Sequence, residues 1–519
     1  MSEAKSSVSG VTYTKAGEGY FEKRQLKRSA RFWGLWGLGV AAVISGDFSG
    51  WNFGIGSAGW GGLLIASLVI VVMYFGMLFS IGEMSAALPH TGGAYSFARS
   101  AMGPWGGFVT GLAETIEYVF TTGVIVLFSA GYLNQIIATL AGFDLAKAGY
   151  LWVWWVVLYA VFIALNAAGA SISFRFAVIV SILSIGILVL FGILAFANGA
   201  VDFSKLWDIA PDETVAGSSQ FLPFGWWGIL FALPFAMWFF LGIEELPLAA
   251  EEAHDPSKDI PRAGIWGLIT LIVTGAIVLF LNPAVTGSKA LGAAGEPLLD
   301  GFRAFLPADL AAVLSLFALI GLLASLQGIM FAYGRNMYSL SRAGYYPKFL
   351  SLTGKRQTPW VALLVGAVIG FVVLLAVDLI TKANPDIGAV SNAIVLNIAV
   401  WGAVISYLLQ MVSYVILKVK LPNAARPYVS PVGIGGAVVA GVIALLTFVG
   451  QLINPGYTSA IIAIAVVYVI GLVIFALVGR KRLVLSPEEE YALSGGQHGD
   501  PQSEGYDAME TEIFGNKQR

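Results

Sequence analysis

Residues 45–50 are Ser-Gly-Asp-Phe-Ser-Gly, and they interrupt an otherwise apolar stretch that runs from residue 32 to residue 58. Glycine has a low helix propensity, and Ser and Asp side chains compete for backbone hydrogen bonds, so this segment favours unwinding. A carboxylate at the middle of a membrane costs roughly 2.5–3.5 kcal/mol or more. The stretch therefore predicts a membrane helix that breaks near its centre, around Asp47.

A second, weaker interruption lies in the apolar stretch 221–248, where Leu241-Gly-Ile-Glu-Glu245 is followed by Pro247. The two stretches are the first helices of two predicted five-helix halves, and breaks at matching positions point to a transporter site. The alternative is close helix packing through small residues. Glycine alone fits that alternative, but a carboxylate in both breaks does not.

The composition supports a membrane protein. Of 519 residues, 57% are hydrophobic and 12% are charged, with a mean hydropathy of +0.80, whereas a soluble chain carries about 25% charged residues. The absence of cysteine excludes disulfides and thiolate metal sites, and a net charge of −2 argues against a nucleic-acid partner. Twelve apolar runs predict spanning helices near 32–58, 61–87, 104–133, 149–168, 173–198, 221–248, 262–282, 308–341, 360–380, 388–417, 431–453 and 457–479.

The distribution of cations predicts the orientation. With both tails in the cytoplasm, the outer loops carry only Lys147, Lys205, Lys289, Arg303 and Lys382 of the 29 Lys and Arg residues. Cytoplasmic loops are enriched in Lys and Arg, so this orientation is favoured. We expect a tail at 1–31, a ten-helix core at 32–430, helices 11 and 12 at 431–480 and a tail at 481–519. The polar tails before about residue 30 and after about residue 483 are predicted to be mobile.

Several motifs resemble the amino acid–polyamine–organocation (APC) permeases. They are the glycine-rich break of the first helix, Leu88-Pro-His-Thr-Gly-Gly-Ala-Tyr95, the segment from Gly242 through Ala263 with its Ala-Glu-Glu and Ile-Pro-Arg-Ala elements, and Arg335 through Pro347. The match spans roughly residues 32–480. It implies an all-α integral membrane fold of twelve helices, with a five-plus-five inverted repeat (LeuT/APC-like) and discontinuous helices 1 and 6.

One departure from the family pattern bears on the substrate. The family usually has a third glycine where this chain has Asp47, and the stretch from Val43 through Gly62 most resembles the ethanolamine permease branch. An ionised Asp47 would repel a substrate carboxylate and attract an ammonium group in a poorly screened cavity. The alternative is that Asp47 only caps the second half of helix 1, and one carboxylate could do both.

Other candidate site residues follow from the resemblance and from spacing. Aligned on family members, Glu117, Tyr118 and Thr122 fall on substrate-lining positions of helix 3, and Glu114 lies one turn away as a coupling residue or a structural acid. Trp238 matches an aromatic position over the substrate and could form a cation-binding wall with Phe240, although ordinary packing is the alternative. Glu244 matches a glutamate assigned to proton coupling or gating. The remaining candidates are Ser45, Gly46, Ser49 and Gly242 for polar contacts, with Gln327 and Met330 as weaker pocket residues and Glu245 without a family counterpart.

The sequence thus predicts a secondary transporter, not an enzyme, that imports ethanolamine or a close small amine across a bacterial inner membrane. It predicts no cofactor, and the coupling ion is H⁺ or Na⁺. An amino-acid or polyamine permease is the alternative within the same class. A receptor or channel is the alternative from another class, but no ligand-binding domain lies outside the helices and a channel does not need paired breaks.

Overall fold

The computed structural model describes residues 5–8, 10–16, 19–383 and 391–494. In these ranges, ten helices are long and apolar enough to cross a membrane. Two shorter apolar helices, Phe32–Phe48 and Trp152–Ala167, bring the set into agreement with the twelve predicted spans. The protein is therefore an all-helical, multi-pass membrane protein.

The helices follow the predicted runs closely. For example, the run predicted at 308–341 is the helix Ala308–Arg342. The α-helices are α1 Phe32–Val43, α2 Ser45–Phe48, α3 Phe53–Ala87, α4 Gly93–Ala141, α5 Trp152–Ala167, α6 Ala170–Ala197, α7 Gly225–Trp238, α8 Pro256–Thr286, α9 Ser288–Leu291, α10 Pro297–Arg303, α11 Ala308–Arg342, α12 Trp360–Ala383, α13 Ser391–Lys420, α14 Gly433–Ile453, α15 Thr458–Leu477 and α16 Pro487–Leu493. The 3₁₀ helices are Phe203–Trp207, Ile243–Glu252, Lys348–Ser351 and Gly479–Lys481, and the strands are β1 Lys5–Val8, β2 Val11–Thr14 and β3 Leu483–Val484.

Two of the long helices contain a sharp turn at a glycine. In α3 the turn is at Gly59, with φ of 73°, and in α4 it is at Gly103, with φ of 78°. Both conformations lie in the left-handed region that glycine adopts without a steric penalty. They separate the predicted helix 1 from helix 2, and a short helix before residue 103 from the predicted helix 3.

Both predicted breaks are present, but the first one is shifted along the chain. Residues 45–48 form the helical turn α2, and the backbone leaves the helical conformation only at Ser49, φ −165°, and Gly50, φ 97°. The predicted interruption at 45–50 is therefore realised only in its last two residues. The turn persists because the Ser45 amide donates to Ser325 Oγ at 2.8 Å, and the Ile44 and Ser45 carbonyls accept from Asp47 and Ser49.

The second break follows the predicted pattern. The helix α7 ends at Trp238, Gly242 takes a left-handed conformation with φ of 109°, and the chain continues as the 3₁₀ helix Ile243–Glu252. The two breaks touch each other closely. A Cβ atom at Gly46 would lie 2.3 Å from the Trp238 carbonyl oxygen, so only glycine fits there. The discontinuous parts of helices 1 and 6 therefore meet at the centre of the bundle.

Parts of the two tails are ordered, in contrast to the sequence prediction. In the described residues, β1, β2 and β3 form one small sheet, with β2 parallel to β3, and α16 packs with Glu488, Glu489 and Glu490 buried. The prediction of mobile tails is wrong for residues 5–8, 10–14 and 483–494. Two of these acidic residues pair with buried arginines: Arg342 lies 2.5 Å from Glu488, and Arg99 lies 2.7 Å from Glu489. Within the tails, residues 1–4, 9, 17, 18 and 495–519 lie outside the described residues.

Candidate functional site

Asp47 lies at the end of the first half of helix 1 and is fully buried. Its Oδ1 would be 3.6 Å from a Cβ atom on Gly275, so the carboxylate is directed toward α8. The adjacent Thr274 hydroxyl is committed to the Thr270 and Leu271 carbonyls, each at 3.2 Å. The Thr274 hydroxyl lies beside the Asp47 carboxylate, but neither oxygen of Asp47 has a hydrogen-bond partner of standard geometry within the described residues. A buried carboxylate without partners is costly, so this position favours a cation or a proton as its complement.

In this structure Asp47 does not cap the second half of helix 1. A capping side chain would sit just before the second half of helix 1 and accept one of its amide hydrogens. Asp47 instead precedes the break and accepts none of these amides. The Gly50 amide, at the break, donates to Asn52 Oδ1 at 3.1 Å.

A second group of acids lies where α4, the 3₁₀ helix Ile243–Glu252 and α13 meet. The side chains of Glu117 and Glu244 face each other, and Tyr407 donates to Glu117 Oε1 at 3.1 Å. Tyr407 also lies 3.3 Å from the Tyr74 hydroxyl. Glu244 Oε2 accepts from the Gly242 amide at 3.0 Å. Two adjacent buried carboxylates repel each other unless a proton or a cation is shared between them.

Glu114 belongs to the same group, and two side chains, Asn336 and Tyr118, contact its carboxylate. Asn336 donates to Glu114 Oε2 at 2.9 Å, and the Tyr118 hydroxyl lies 3.3 Å from Glu114 Oε1 and 3.4 Å from Glu244 Oε1. Tyr118 therefore connects the two acids. Glu245 is buried beside this group, with both oxygens unpartnered in the described part of the chain.

Trp238 covers the first break on the side of the bundle opposite the tails. Its Nε1 donates to the Ser49 carbonyl at 2.9 Å, and Tyr132 donates to the Phe48 carbonyl at 2.8 Å. The segment 288–303 lies over these residues, because Ser49 Oγ donates to the Gly295 carbonyl and Asn52 Nδ2 donates to the Leu291 and Ala294 carbonyls. These contacts cover the first break on the side of the bundle opposite the tails.

Each of the remaining predicted residues contacts a different part of the bundle. Phe240 packs on Tyr74 with ring centroids 5.4 Å apart, which links it to the acid group. Gln327 accepts from Asn166 at 3.0 Å and so faces α5. The Thr122 hydroxyl donates to the Tyr118 carbonyl of its own helix, at 2.8 Å. Met330 is buried on α11.

The predicted residues thus form two groups. Ser49 contacts Trp238 beside Asp47, while Glu114, Glu117, Tyr118 and Glu244 lie together. No hydrogen bond or ion pair joins Asp47 to Glu117 among the described residues. The amides of Ser45 and Gly242, expected to face a substrate, are bonded to Ser325 and Glu244.

Sequence reasoning missed Tyr74, Tyr407, Asn336 and Thr274, which surround the two acidic positions. Each is a polar side chain inside a long apolar helix, and that isolation is the signal that could have found them. Nothing in the sequence shows which acid each of them faces.

Glu296, in the segment 288–303 that covers the first break, supports a pH prediction. Burial and the nearby Asp300 raise the pKa of Glu296 to about 7. The folded protein then binds more protons than the unfolded chain between about pH 4.5 and 7, so stability falls as pH rises through this window. We expect Glu296→Gln to flatten this dependence and to stabilise the protein on the order of 1–2 kcal/mol at pH 8, a value discounted for partial exposure.

Thermal unfolding of the purified protein between pH 5 and pH 8 measures this effect. The exposed Asp309, changed to Asn, is the control. An unchanged pH slope in Glu296→Gln would contradict the role given to this carboxyl group.

Comparison with known proteins identifies the family. Residues 35–485 match the Amino acid permease family over most of the chain. The chain belongs to this family. Its members are transporters rather than enzymes, so the amino acid permease match agrees with the paired breaks and the buried acids at the centre of the bundle.

The individual relatives of this chain are distant in sequence. An uncharacterized transporter of Rhizobium meliloti is 30% identical over 61% of the chain and 65% of its own length. The branched-chain amino acid permease BcaP of Bacillus subtilis is 24% identical over 89% of the chain and 96% of its own length. A probable GABA permease of Pseudomonas aeruginosa is 28% identical over 64% of the chain and 69% of its own length.

A solved structure shares the fold. A manganese transporter of Eremococcus coleocola superposes with a TM-score of 0.54 and 14% identity, covering 92% of the chain and 99% of that protein. At this identity the likeness concerns the fold alone. It supports the arrangement with discontinuous helices 1 and 6, and it carries no information on the substrate.

Proposed function

We propose that this permease imports ethanolamine or a closely related small amine by alternating access, across a bacterial inner membrane with both termini in the cytoplasm. The observation that carries this proposal is the unpartnered, fully buried carboxylate of Asp47 at the break of helix 1. In a family whose named relatives take amino acids, a carboxylate at this position favours a substrate that has an ammonium group and lacks a carboxylate.

The charge balance of the interior supports the same substrate class. Five buried carboxylates lie around the two breaks: Asp47, Glu114, Glu117, Glu244 and Glu245. The buried Arg335 is paired with Glu252 at 2.9 Å. An acidic interior attracts cations and disfavours anions.

In this proposal, Asp47 binds the ammonium group, and Trp238 with its bond to Ser49 covers it from the outer side. Glu117 either completes the ammonium site in another state of the cycle or acts with Glu244. Glu244 is the coupling residue, because it contacts Gly242 at the break and Glu117 beside it. A proton exchanged within this pair would link the break of helix 6 to helix 3.

Specific observations favour each of two alternative substrates. The named relatives favour an amino-acid permease, and the separation of Asp47 from the Glu114–Glu117–Glu244 group favours a polyamine, which needs two separated acidic positions.

The test is uptake of labelled ethanolamine into proteoliposomes, competed by alanine, putrescine and choline. We expect ethanolamine uptake that alanine competes weakly. Absence of ethanolamine uptake, or stronger competition by alanine or putrescine than by unlabelled ethanolamine, would contradict the proposal.

Glu244→Gln tests the coupling role. If the Glu117–Glu244 pair exchanges a proton during transport, the variant should lose most of the pH dependence of net uptake while substrate binding survives. Uptake measured from pH 5.5 to 8, with exposed Glu213→Gln as the control, gives the answer. A parent-like pH profile in Glu244→Gln would assign this glutamate a structural role.

A further inference from the structure

A groove of about 450 Å³ opens on the surface of the bundle where α1 and α6 begin, on the side of the N-terminal tail. It is lined by Ser29, Arg31, Gly34, Ser171, Phe174, Arg175, Val178 and Ile179. None of these lining residues is acidic. The groove lies apart from Asp47 and from the acid group, and the proposed transport function does not use it.

Two cations in the groove have no counter-ion among the residues that the structure describes. The Arg31 and Arg175 side chains are exposed, and neither makes an ion pair or a hydrogen bond with the described residues. A third guanidinium group is nearby, since Arg356 donates to the carbonyl of Ala168 at 2.9 Å, two residues before α6 begins. Guanidinium groups match the geometry of phosphate oxygens and bind them in pairs.

The backbone adds to the positive electrostatic potential of the groove. The helices α1 and α6 both begin at this groove, and neither has a side-chain cap at its N-terminus. Uncapped helix N-termini present free amide hydrogens and the positive end of the helix dipole to an anion. In addition, the Ser29 hydroxyl oxygen is buried without a hydrogen-bond partner within the described residues. The groove therefore presents cationic groups, amide hydrogens and hydroxyl groups to a bound anion.

The apolar surroundings distinguish a lipid from a soluble anion. Phe174, Val178 and Ile179 form the apolar wall of the groove. Ile179 is 59% exposed, and the neighbouring Trp33 is 66% exposed. Exposed apolar side chains on spanning helices face acyl chains, and a tryptophan is typical of the membrane interface. Basic pockets between membrane helices recognise anionic lipid head groups. We propose that this groove binds the phosphate head group of an anionic phospholipid, with the acyl chains along α6.

Lipid retention measured by native mass spectrometry tests the site. Purified protein in detergent is titrated with phosphatidylglycerol, with phosphatidylcholine of the same acyl chains, and with inorganic phosphate as a competitor. We expect phosphatidylglycerol to bind more tightly than phosphatidylcholine and to stay bound in millimolar phosphate. In the double variant Arg31→Gln/Arg175→Gln its affinity should fall about 30-fold.

Two further variants make the test specific. The pair Arg480→Gln/Lys481→Gln removes the same charge from exposed cations outside the groove, near the start of the C-terminal segment, and should stay within about twofold of the parent. Gly34→Leu keeps the charge but fills the groove, since a Cβ atom there would already lie 3.5 Å from Phe174 Cβ, and it should also weaken binding. If the double arginine variant does not fold, phosphatidylglycerol binding by Gly34→Leu tests the proposal instead.

Three outcomes would overturn the proposal. The first is parent-like phosphatidylglycerol binding in Arg31→Gln/Arg175→Gln or, if that variant does not fold, in Gly34→Leu. The second is an equal loss in the Arg480/Lys481 control. The third is displacement of the lipid by millimolar phosphate, which would assign the groove to a soluble anion.

Discussion

Asp47→Asn is expected to weaken ethanolamine binding by about 30- to 1,000-fold, while the variant folds at least as well as the parent. The loss corresponds to about 2–4 kcal/mol for removing a charge that faces an ammonium group in a poorly solvated site. Stability should not fall, because the carboxylate makes no hydrogen bond with the described residues that asparagine would lose. Asparagine also removes a buried charge that lacks a protein partner.

Calorimetric titration and thermal unfolding of the same samples separate the two effects. Asp47→Glu keeps the charge on a longer side chain and should weaken binding through geometry, and exposed Asp309→Asn should match the parent. An Asn variant that binds ethanolamine within about threefold of the parent would leave Glu117 as the candidate counter-ion. That result would remove Asp47 from the site.

Glu489→Gln is expected to release the C-terminal segment from the bundle. The Glu489 carboxylate accepts from Arg99 at 2.7 Å and from the hydroxyl groups of Tyr13, Tyr95 and Tyr345 at 2.5–2.9 Å. Removing one partner of a buried ion pair costs about 3–5 kcal/mol, because the other charge stays buried. Here the remaining charge is that of Arg99.

Hydrogen exchange of residues 483–494 measures this release. In Glu489→Gln the exchange of these amides should accelerate about 100-fold or more, since the cost falls on the local opening of this segment. Exposed Glu22→Gln carries the same change without a described ion pair and should exchange like the parent. Exchange within about threefold of the parent in Glu489→Gln would show that the segment is held by other contacts.

The course of the helices could be predicted from the sequence because it rests on apolar run length and on glycine. The run 308–341 and the turn at Gly103 are both local properties of the chain. The breaks could be predicted for the same reason, since Gly50 and Gly242 adopt backbone conformations that other residues avoid.

The surroundings of the acids could not be predicted, because they depend on contacts between distant segments. Ser325 donates to the Ala41 carbonyl and accepts from the Ser45 amide, which keeps Asp47 in the last turn before the break. Since each helical residue is rotated by about 100° from the previous one, the position of the helix end decides the direction of Asp47. The ordered tail likewise depends on Arg99 and Arg342, which are distant in sequence from the glutamates they bind.

The central claim is that the site selects an ammonium group without a carboxylate, and the pair ethanolamine and glycine tests it most directly. The two molecules share an amine on a two-carbon chain and differ in a hydroxymethyl group against a carboxylate. Their affinities for the purified protein, measured by calorimetry at one pH and one salt concentration, isolate that difference. The account predicts that ethanolamine binds at least about 30-fold more tightly, because Asp47 repels the glycine carboxylate. Glycine binding as tightly as ethanolamine, or more tightly, would contradict it.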